Sequence, residues 1–499
     1  MAYNLDENKG WTQRGEAMLG RQERRQQTLF LTCQLSDLVP EDHILKRVDR
    51  VLDLSWLAAE VEPLYATGQG RPSIDPEVGV RLMLAGFFEG IVHDRKLLRQ
   101  AQVNVAIRWF CGYGLDEPLP DHSSLTRIRQ RWGAARFRRL FERTVRACVE
   151  AGLVTGETVH VDATLIRADV SWESLVVRHV ERTLEVNAEA GVLDEVSGVA
   201  EPETTAGRTE AAGPEAAERG ARVSRTDPDA RIAKAGRAQR GEPAYKQMTA
   251  VDDAAGVIVD VAIEPGTAPE GAQLVAQLER VASTTGRAVQ RVTADKGYAS
   301  AANYAALEAR GVEAIIAPER VGRSRGTLPG ERFKYDARHD VVRCPRGRPL
   351  RHRGFDGERH HYRGEAAVCR RCPQRHACLA PSATARVVRL RPGHEALVRA
   401  RRRCAYADEH WRRQMGRHRW QVEGVHGEAK SRHGLARAAR RRLWNVSIQA
   451  HLTAAVINLK RLARAVCGPL PEGARRGMRS FARGLLRLLA PGLRRLCPA

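Results

Sequence analysis

The chain has 499 residues and a formal net charge of +23 at neutral pH, with His counted as neutral. It is long enough to bury a large core and to divide into more than one domain. Its cationic excess indicates polyanionic partners, with nucleic acid ahead of a membrane surface. No segment approaches the ~18 consecutive apolar residues of a membrane span, and Met1–Glu7 lacks the basic and apolar regions of a secretory signal. We therefore expect a cytoplasmic protein without membrane segments, in which the ten cysteines are reduced thiols rather than disulfides.

Residues 1–30 are polar and are predicted to form a tail, whereas residues 31–150 carry helix signals. Pro40 with neighbouring acids predicts one helix entrance, Asp75-Pro76-Glu77 a second, and Asp121-His122-Ser123 a third. The helix predicted to begin at Asp121 is short and basic, which is typical of the helix that a helix-turn-helix protein places in the major groove. A structural bundle whose arginines face solvent is the alternative. The candidate DNA-binding residues here are Arg127, Arg129 and Arg131.

Two segments that read as β-strands end on an aspartate. Thr158–Asp162 alternates apolar and polar residues, and Val292–Asp295 does the same before a turn at Gly297. A hairpin is predicted between them, formed by Tyr245–Val251 and Val257–Ile263. Helices near 271–282 and 300–309 and an apolar strand at 314–317 complete an α/β pattern.

A late segment, Arg417–Lys430, reads as a helix. At 3.6 residues per turn, Arg419, Glu423 and Lys430 project from one face, beside an apolar stripe. Such a face is by itself most often a solvated, salt-bridged surface. Together with the two strand-end aspartates, however, it supplies a third carboxylate, and Mg²⁺ binds through a few carboxylates plus water and phosphate oxygens. Two-metal phosphoryl transfer requires this kind of convergence.

Two further segments interrupt the α/β pattern. Residues 185–240 are rich in Ala, Gly, Glu, Thr and Pro with almost no aromatic residue, so a flexible insertion is predicted, which either guides DNA or is simply tolerated. Residues 321–404 are Cys-rich, with a short Cys-x2-Cys spacing that lets two thiols reach one tetrahedral Zn²⁺. Incidental thiols are the alternative. The candidate zinc ligands are Cys344, Cys369, Cys372 and Cys378.

In their order and spacing, these residues resemble the DDE transposases of bacterial insertion sequences, in the broad IS4 and IS5 group and nearest to the IS1182 family. The resemblance extends from about Gln34 to about Arg464 and includes the motifs Gly70–Pro76, Arg108–Phe110 and Pro120–Ser123. One departure is visible, because Gly416 stands where the wider signature often has a tyrosine. The resemblance implies an α/β fold with an RNase H-like catalytic core (151–184, 241–320 and 405–466), an N-terminal all-helical DNA-binding domain, a Cys-rich insertion and a basic tail at 467–499.

The function implied by the resemblance is that of a DNA transposase. It would bind double-stranded DNA at the terminal inverted repeats of its element, work as a homodimer near the bacterial nucleoid, and catalyse strand cleavage and transfer. Two Mg²⁺ or Mn²⁺ ions would be held by Asp162, Asp295 and Glu423, with Glu428 as a competing third acid. The phosphate would be positioned by Arg419, Lys430 and Lys296. The alternatives are a non-catalytic DNA-binding protein, such as a decayed transposase or a repressor, and an RNase H-like nuclease that cuts without joining.

Overall fold

The computed structural model describes residues 33–66, 73–177, 222–234, 240–318 and 327–468. The predicted tail at 1–30, the start of the Gly70–Pro76 motif and nearly all of the basic tail lie outside these ranges. So does most of the predicted insertion. Within the described ranges, no helix is both long and apolar enough to cross a membrane.

The first described part of the chain is helical and builds its own apolar core. Asp75 caps the third helix by accepting a hydrogen bond from the backbone N–H of Glu77 at 2.7 Å, as its position before Pro76 predicts. The entrance predicted at Pro40 is wrong by several residues, because the first helix begins at Ile44 with His43 as its N-cap. The helices are α1 (Ile44–Asp49), α2 (Leu57–Val61), α3 (Pro76–Phe88), α4 (Asp94–Val103), α5 (Val105–Cys111) and α6 (His122–Glu150).

Helix α6 is longer than the short basic helix that the sequence predicts. Asp121 caps it, accepting from the N–H of Ser123 at 2.8 Å, and the helix then runs to Glu150. It is broken at Gly133, whose φ of 65° and ψ of 171° are not helical. A positive φ of this kind favours glycine. The basic segment is therefore the first limb of a kinked helix.

The central element is a mixed sheet. Over the described residues it has eight strands, and β6 lies beside β5 outside the main order β2-β3-β4-β5-β1-β7-β8. β1 is antiparallel to β5 but parallel to β7, which in turn is parallel to β8. The strands are β1 (Thr158–Arg167), β2 (Leu175–Val177), β3 (Arg222–Ser224), β4 (Arg231–Ala233), β5 (Glu242–Asp252), β6 (Ile258–Pro265), β7 (Arg291–Ala294) and β8 (Glu313–Ile316).

Part of the segment predicted as a flexible insertion belongs to this sheet. β3 and β4 lie within residues 185–240, and β4 pairs with the first three residues of β5. β6 pairs with the remainder of β5, so both strands occupy the edge of β5 opposite β1. Because the segment as a whole contains few apolar residues, its composition does not predict these two short strands.

Four helices complete this region: α7 (Leu274–Thr285), α8 (Ala301–Ala309), α12 (Glu409–Arg432) and α13 (Leu443–Val466). The almost uniformly apolar sequence of α13 predicts a buried helix, and the structure confirms this. The sequence from Asn445 to Val466 predicts burial against the sheet. One side packs in the core of the sheet through Val446 and Ile457, and the other packs among α1–α6 through Leu452 and Val456. The helical region and the sheet are therefore joined through α13.

The Cys-rich segment forms a second, five-stranded antiparallel sheet in the order β13-β12-β11-β10-β9. Its small core contains Phe333, Val342, Leu350, Tyr362 and Val388. The elements are β9 (Lys334–Asp336), β10 (Val341–Arg343), β11 (Pro349–Phe355), β12 (His360–Arg363), α9 (Ala366–Arg370), α10 (Arg375–Cys378), β13 (Val387–Leu390) and α11 (His394–Ala405).

Candidate active site

The two predicted aspartates lie side by side. In the parallel pair of β1 and β7, Val161 is opposite Ala294, and Asp162 and Asp295 are the next residues of their strands. Neighbouring strands are ~4.8 Å apart, so the two carboxylates share one edge of the sheet. Asp295 also caps the turn that follows it, since its Oδ1 accepts from the N–H of Gly297 at 2.7 Å. The next residue, Lys296, is exposed.

A further acid, Glu270, lies at the same place and was missed from the sequence. A Cβ atom added to Gly297 would collide with the Glu270 carboxylate and would stand 2.9 Å from Oδ1 of Asp295. Both carboxylates therefore flank this one glycine. Glu270 also lies 3.3 Å from Nζ of Lys246. Glu270 follows Pro269 at the start of a helical segment, where acids are common because the helix dipole stabilises them. Its position in the sequence therefore gives no distinct indication of a role at this site.

The electrostatics of Asp162 fit a site for a divalent cation. Burial and the negative charges of Asp295, Glu270 and Glu423 together raise the pKa of its carboxyl to about 6, against a hydrogen bond from the backbone of Ala163. Carboxylates that raise one another's pKa in this way would be stabilised by a bound cation. Oxygen donors of this charge are the ligands of Mg²⁺ and Mn²⁺. Among the described residues, however, no three His, Cys, Asp or Glu side chains lie close enough together to hold a metal ion as they stand.

Helix α12 carries the third predicted acid over the same region. Arg419 and Glu423 both point outward, with side chains 79% and 70% exposed, and their closest N–O distance is 3.7 Å. Trp420 between them is 76% exposed. Lys430 is half-buried, and burial lowers its pKa while the nearby Asp162 raises it. The predicted face is thus exposed to solvent at Arg419 and Glu423, and its other end, Lys430, lies near Asp162.

Buried polar contacts hold α12 on the sheet. The hydroxyl of Thr293 lies 2.6 Å from Nδ1 of His160 and 2.9 Å from Nδ1 of His418, linking β7, β1 and α12. On its other side, Nε2 of His160 lies 2.8 Å from Asp253, which also accepts from Arg417 at 2.6 Å. Burial lowers the pKa of both imidazoles, that of His418 to about 4, so both are neutral at neutral pH. We call His160, Asp253, Thr293, Arg417 and His418 the docking network.

The alternative third acid, Glu428, forms ion pairs with side chains of α13 instead. It accepts from Nζ of Lys460 at 2.5 Å and from Arg461 at 3.3 Å, both on α13, and lies 3.6 Å from His433. Burial alone would raise its pKa, but the hydrogen bonds from His433 and Lys460 and the charges of Lys460 and Arg461 hold that pKa well below its usual range. Glu428 therefore ties α12 to α13, whereas Glu423 is exposed and contacts only Arg419 of its own helix among the ion pairs of the described residues.

The structure separates the three arginines of α6 that were selected from the sequence as DNA-binding candidates. Arg127 and Arg131 are exposed, and the guanidinium of Arg131 lies over the ring of Tyr65 at 4.5 Å. Arg129 is only 2% exposed and forms an ion pair with Asp94. Arg129 is therefore not placed to contact DNA, which corrects its selection from the sequence. Spacing on one helix does not show which cation turns inward.

The four candidate zinc ligands lie in one part of the second sheet. Burial raises the pKa of the Cys378 thiol, and the neighbouring Cys369, Cys372 and Cys344 raise it further. Cys344 and Cys378 both pack against the small core of this sheet. All four are free thiols, as expected for a reduced chain. Their proximity is what a tetrahedral thiolate site needs, although as placed they do not form a metal-binding group.

Two family models match the chain. One is described as "Transposase domain (DUF772)" and matches residues 33–131, and the other is described as "Transposase DDE domain" and matches residues 343–463. The second match contains β11–β13 of the Cys-rich sheet and Glu423, and the first contains most of the helical region. No curated protein matches the chain.

The fold and the site define a mixed α/β protein with carboxylates gathered at one sheet edge, under a helix that carries cations. The two matches support a DDE transposase of insertion sequences. This confirms the predicted resemblance at the level of that group, whereas membership of the IS1182 family stays a prediction. The matched domains support DNA transposition as the class of activity.

Proposed function

We propose that this protein binds the terminal inverted repeats of its own element and catalyses DNA strand cleavage and strand transfer that depend on Mg²⁺ or Mn²⁺. The observation that carries the proposal is the adjacent placement of Asp162 and Asp295 where the parallel pairing of β1 and β7 ends, beneath the helix that bears Glu423. A strand with an acid, a hairpin, a helix, a second strand with an acid, and a late acidic helix form the succession expected of an RNase H-like core. The element order of the sheet region supports that core.

Each named side chain has a distinct task in this reaction. Asp162, Asp295 and Glu423 would hold the divalent ions, which supply Lewis acidity at the phosphodiester when bound. Arg419 and Lys430 on α12 and Lys296 after β7 would position the phosphate and offset the negative charge that grows in the transition state. The docking network would fix α12, and with it Glu423, over the strand ends.

We further propose that the helical region recognises the element ends, with Arg127 and Arg131 as phosphate or base contacts on the exposed face of α6. Backbone contacts of this kind make the affinity fall with added salt. The proposed active complex is a homodimer on paired ends, in the cytoplasm where the chromosomal substrate lies.

The decisive test uses a labelled duplex that carries the ends of the element, incubated with the full chain and a target plasmid. We expect nicking at the element ends with Mg²⁺, none with EDTA, and covalent joining of the labelled 3′ end to the plasmid. End binding without nicking would favour the binding-protein alternative. Nicking without any joining would favour the nuclease.

The raised pKa of Asp162 predicts a stability effect of one substitution. Between the unfolded value near 3.8 and the folded value of about 6, the folded chain holds the proton more tightly. Stability therefore falls as the pH rises through this window and stays lowered above it. Asp162→Asn should raise the melting temperature at pH 7, and the gain should vanish below pH 4. Mg²⁺ should stabilise the wild type more than Asp162→Asn. Differential scanning fluorimetry measures all three effects, and an equal response of both proteins to Mg²⁺ would remove Asp162 from the site.

We also propose that Cys344, Cys369, Cys372 and Cys378 hold a structural Zn²⁺. Purified protein should then contain about one zinc per chain by elemental analysis, and Cys372→Ser should lose it. Cys404→Ser is the matched control, since Cys404 lies on α11 outside the second sheet. A chelator should destabilise the second sheet while leaving the first intact. Zinc content unchanged by Cys372→Ser would contradict the assignment.

A further inference from the structure

A basic groove begins beside the candidate active site and runs away from it. Its volume is about 890 Å³, and its near end is formed by Lys430 and Glu270. Its far end is formed by Lys234 and Arg240. Five cations and two carboxylates line it, and both carboxylates are paired with groove cations, Glu242 with Arg167 and Glu270 with Lys246. The cations are Arg167, Lys234, Arg240, Lys246 and Lys430. We call this feature the strand groove.

The strand groove is lined by β1, β4 and β5, and its β1 residues belong to the part of that strand that extends beyond β7. The last paired residues of β1 and β7 are Val161 and Ala294, but β1 continues to Arg167. In the described part of the chain, no strand pairs with this edge of β1 from Asp162 to Ile166. The groove is lined there by Ala163, Thr164 and Leu165. The carboxylates and the groove are therefore continuous along one strand.

An aromatic side chain stands at the far end. The guanidinium of Arg240 lies 4.3 Å from the ring centre of Trp172, whose side chain is 44% exposed. Proteins that bind single strands combine a cationic groove with an exposed aromatic ring on which bases stack. The far end of the strand groove has both components.

We propose that the strand groove holds the single DNA strand that leads away from the reacting phosphodiester, with its phosphates on the groove cations and a base on Trp172. This inference deepens the proposed function and rests on it for the position of the reacting phosphate. The groove adds recognition of an unpaired end to the recognition of duplex sequence by the helical region.

The test compares a blunt element-end duplex with the same duplex carrying a three-nucleotide single-stranded extension of either polarity, by fluorescence anisotropy in EDTA. We expect the wild type to bind one extended duplex about tenfold more tightly than the blunt one, since stacking of one base contributes ~1–3 kcal/mol. Lys234→Glu/Arg240→Glu should abolish this increment and leave blunt-end affinity unchanged. Trp172→Ala should remove most of it.

The matched control is Arg287→Glu/Arg310→Glu, which changes the charge equally. Both arginines are exposed and precede β7 and β8, at the opposite sheet edge from the acids. This control should keep the increment. An increment that survives in Lys234→Glu/Arg240→Glu, or its absence from the wild type for both polarities, would overturn the proposal.

A single-stranded oligonucleotide containing 5-iodouracil separates this inference from the proposed function. Irradiation should crosslink it to the peptide that contains Trp172 in the wild type and not in Lys234→Glu/Arg240→Glu. If the chain neither binds nor cuts element ends but shows this crosslink, the groove stands and the proposed function fails. If crosslinks form only outside the peptide that contains Trp172 while element ends are cleaved normally, the proposed function stands and the groove proposal fails.

Discussion

Glu423→Gln should lower Mg²⁺-dependent nicking of element ends by more than about a hundredfold, because loss of a mere outer-shell partner of a metal ligand already costs ~10–100-fold. Affinity for the ends should stay within about twofold, since Glu423 lies on the exposed face of α12 and supplies no positive charge to phosphate. Glu409→Gln is the control, because Glu409 is an exposed acid in the first turn of the same helix. Rates and binding are measured on the same labelled duplex.

If Glu423→Gln nicks as fast as Glu409→Gln, Glu423 is not part of the site. The structure then directs attention to Glu270 rather than to Glu428, because Glu428 is occupied by Lys460 and Arg461 whereas Glu270 lies beside Asp295. Glu270→Gln would in that case show the large loss of nicking. Inactivity of every protein, including the wild type, would favour the binding-protein reading.

Asp94→Ala should cost about 3–5 kcal/mol of folding free energy, the usual cost of removing one partner from a buried ion pair. Asp94 is an ion-pair partner of Arg129 on α6, and its Oδ1 accepts from Arg440 at 2.8 Å. The side chain of Asp94 is 11% exposed, that of Arg129 3% and that of Arg440 18%. Burial and the charge of Arg440 lower the pKa of Arg129 to about 10, against the attraction of Asp94. Without Asp94, two arginines would face each other in a poorly solvated space.

Denaturant titration followed by hydrogen exchange of α3–α6 measures this effect. Exchange should accelerate in the helical region first, because Arg440 belongs to the segment between α12 and α13 and Asp94 ties it to α4. Asp116→Ala is the control, since Asp116 is exposed in a loop and should change stability by less than ~0.5 kcal/mol. Equal midpoints for the two variants would show that the buried pair contributes little.

Local patterns in the sequence were sufficient for several elements. The hairpin of β5 and β6, the strands that carry Asp162 and precede Asp295, and the buried α13 all follow from periodicity that burial on one or both faces imposes. The end predicted for the first strand at Asp162 is wrong, because β1 continues to Arg167. The caps at Asp75 and Asp121 follow from side chains that satisfy free N–H groups of the first helical turn. In each case the physical cause acts within a few residues.

Other features depend on residues far apart in the chain. Arg127, Arg129 and Arg131 look alike in sequence, yet only Arg129 meets a buried carboxylate, from α4. Glu423 and Glu428 lie on the same helix, but only Glu428 is paired with Lys460 and Arg461 of α13. Glu270 carries no local signal and reaches the site because its turn folds back against Gly297.

The sequence by itself determined the class of the protein, its catalytic acids as candidates, and the helices and strands whose apolar periodicity is strong. Tertiary structure decided which charged groups are compensated and which remain available. A charge's partner is set by chain segments that meet only after folding, so desolvation and pairing cannot be read from spacing. That is why the docking network beneath α12, the link through α13 and the strand groove emerged only from the folded chain.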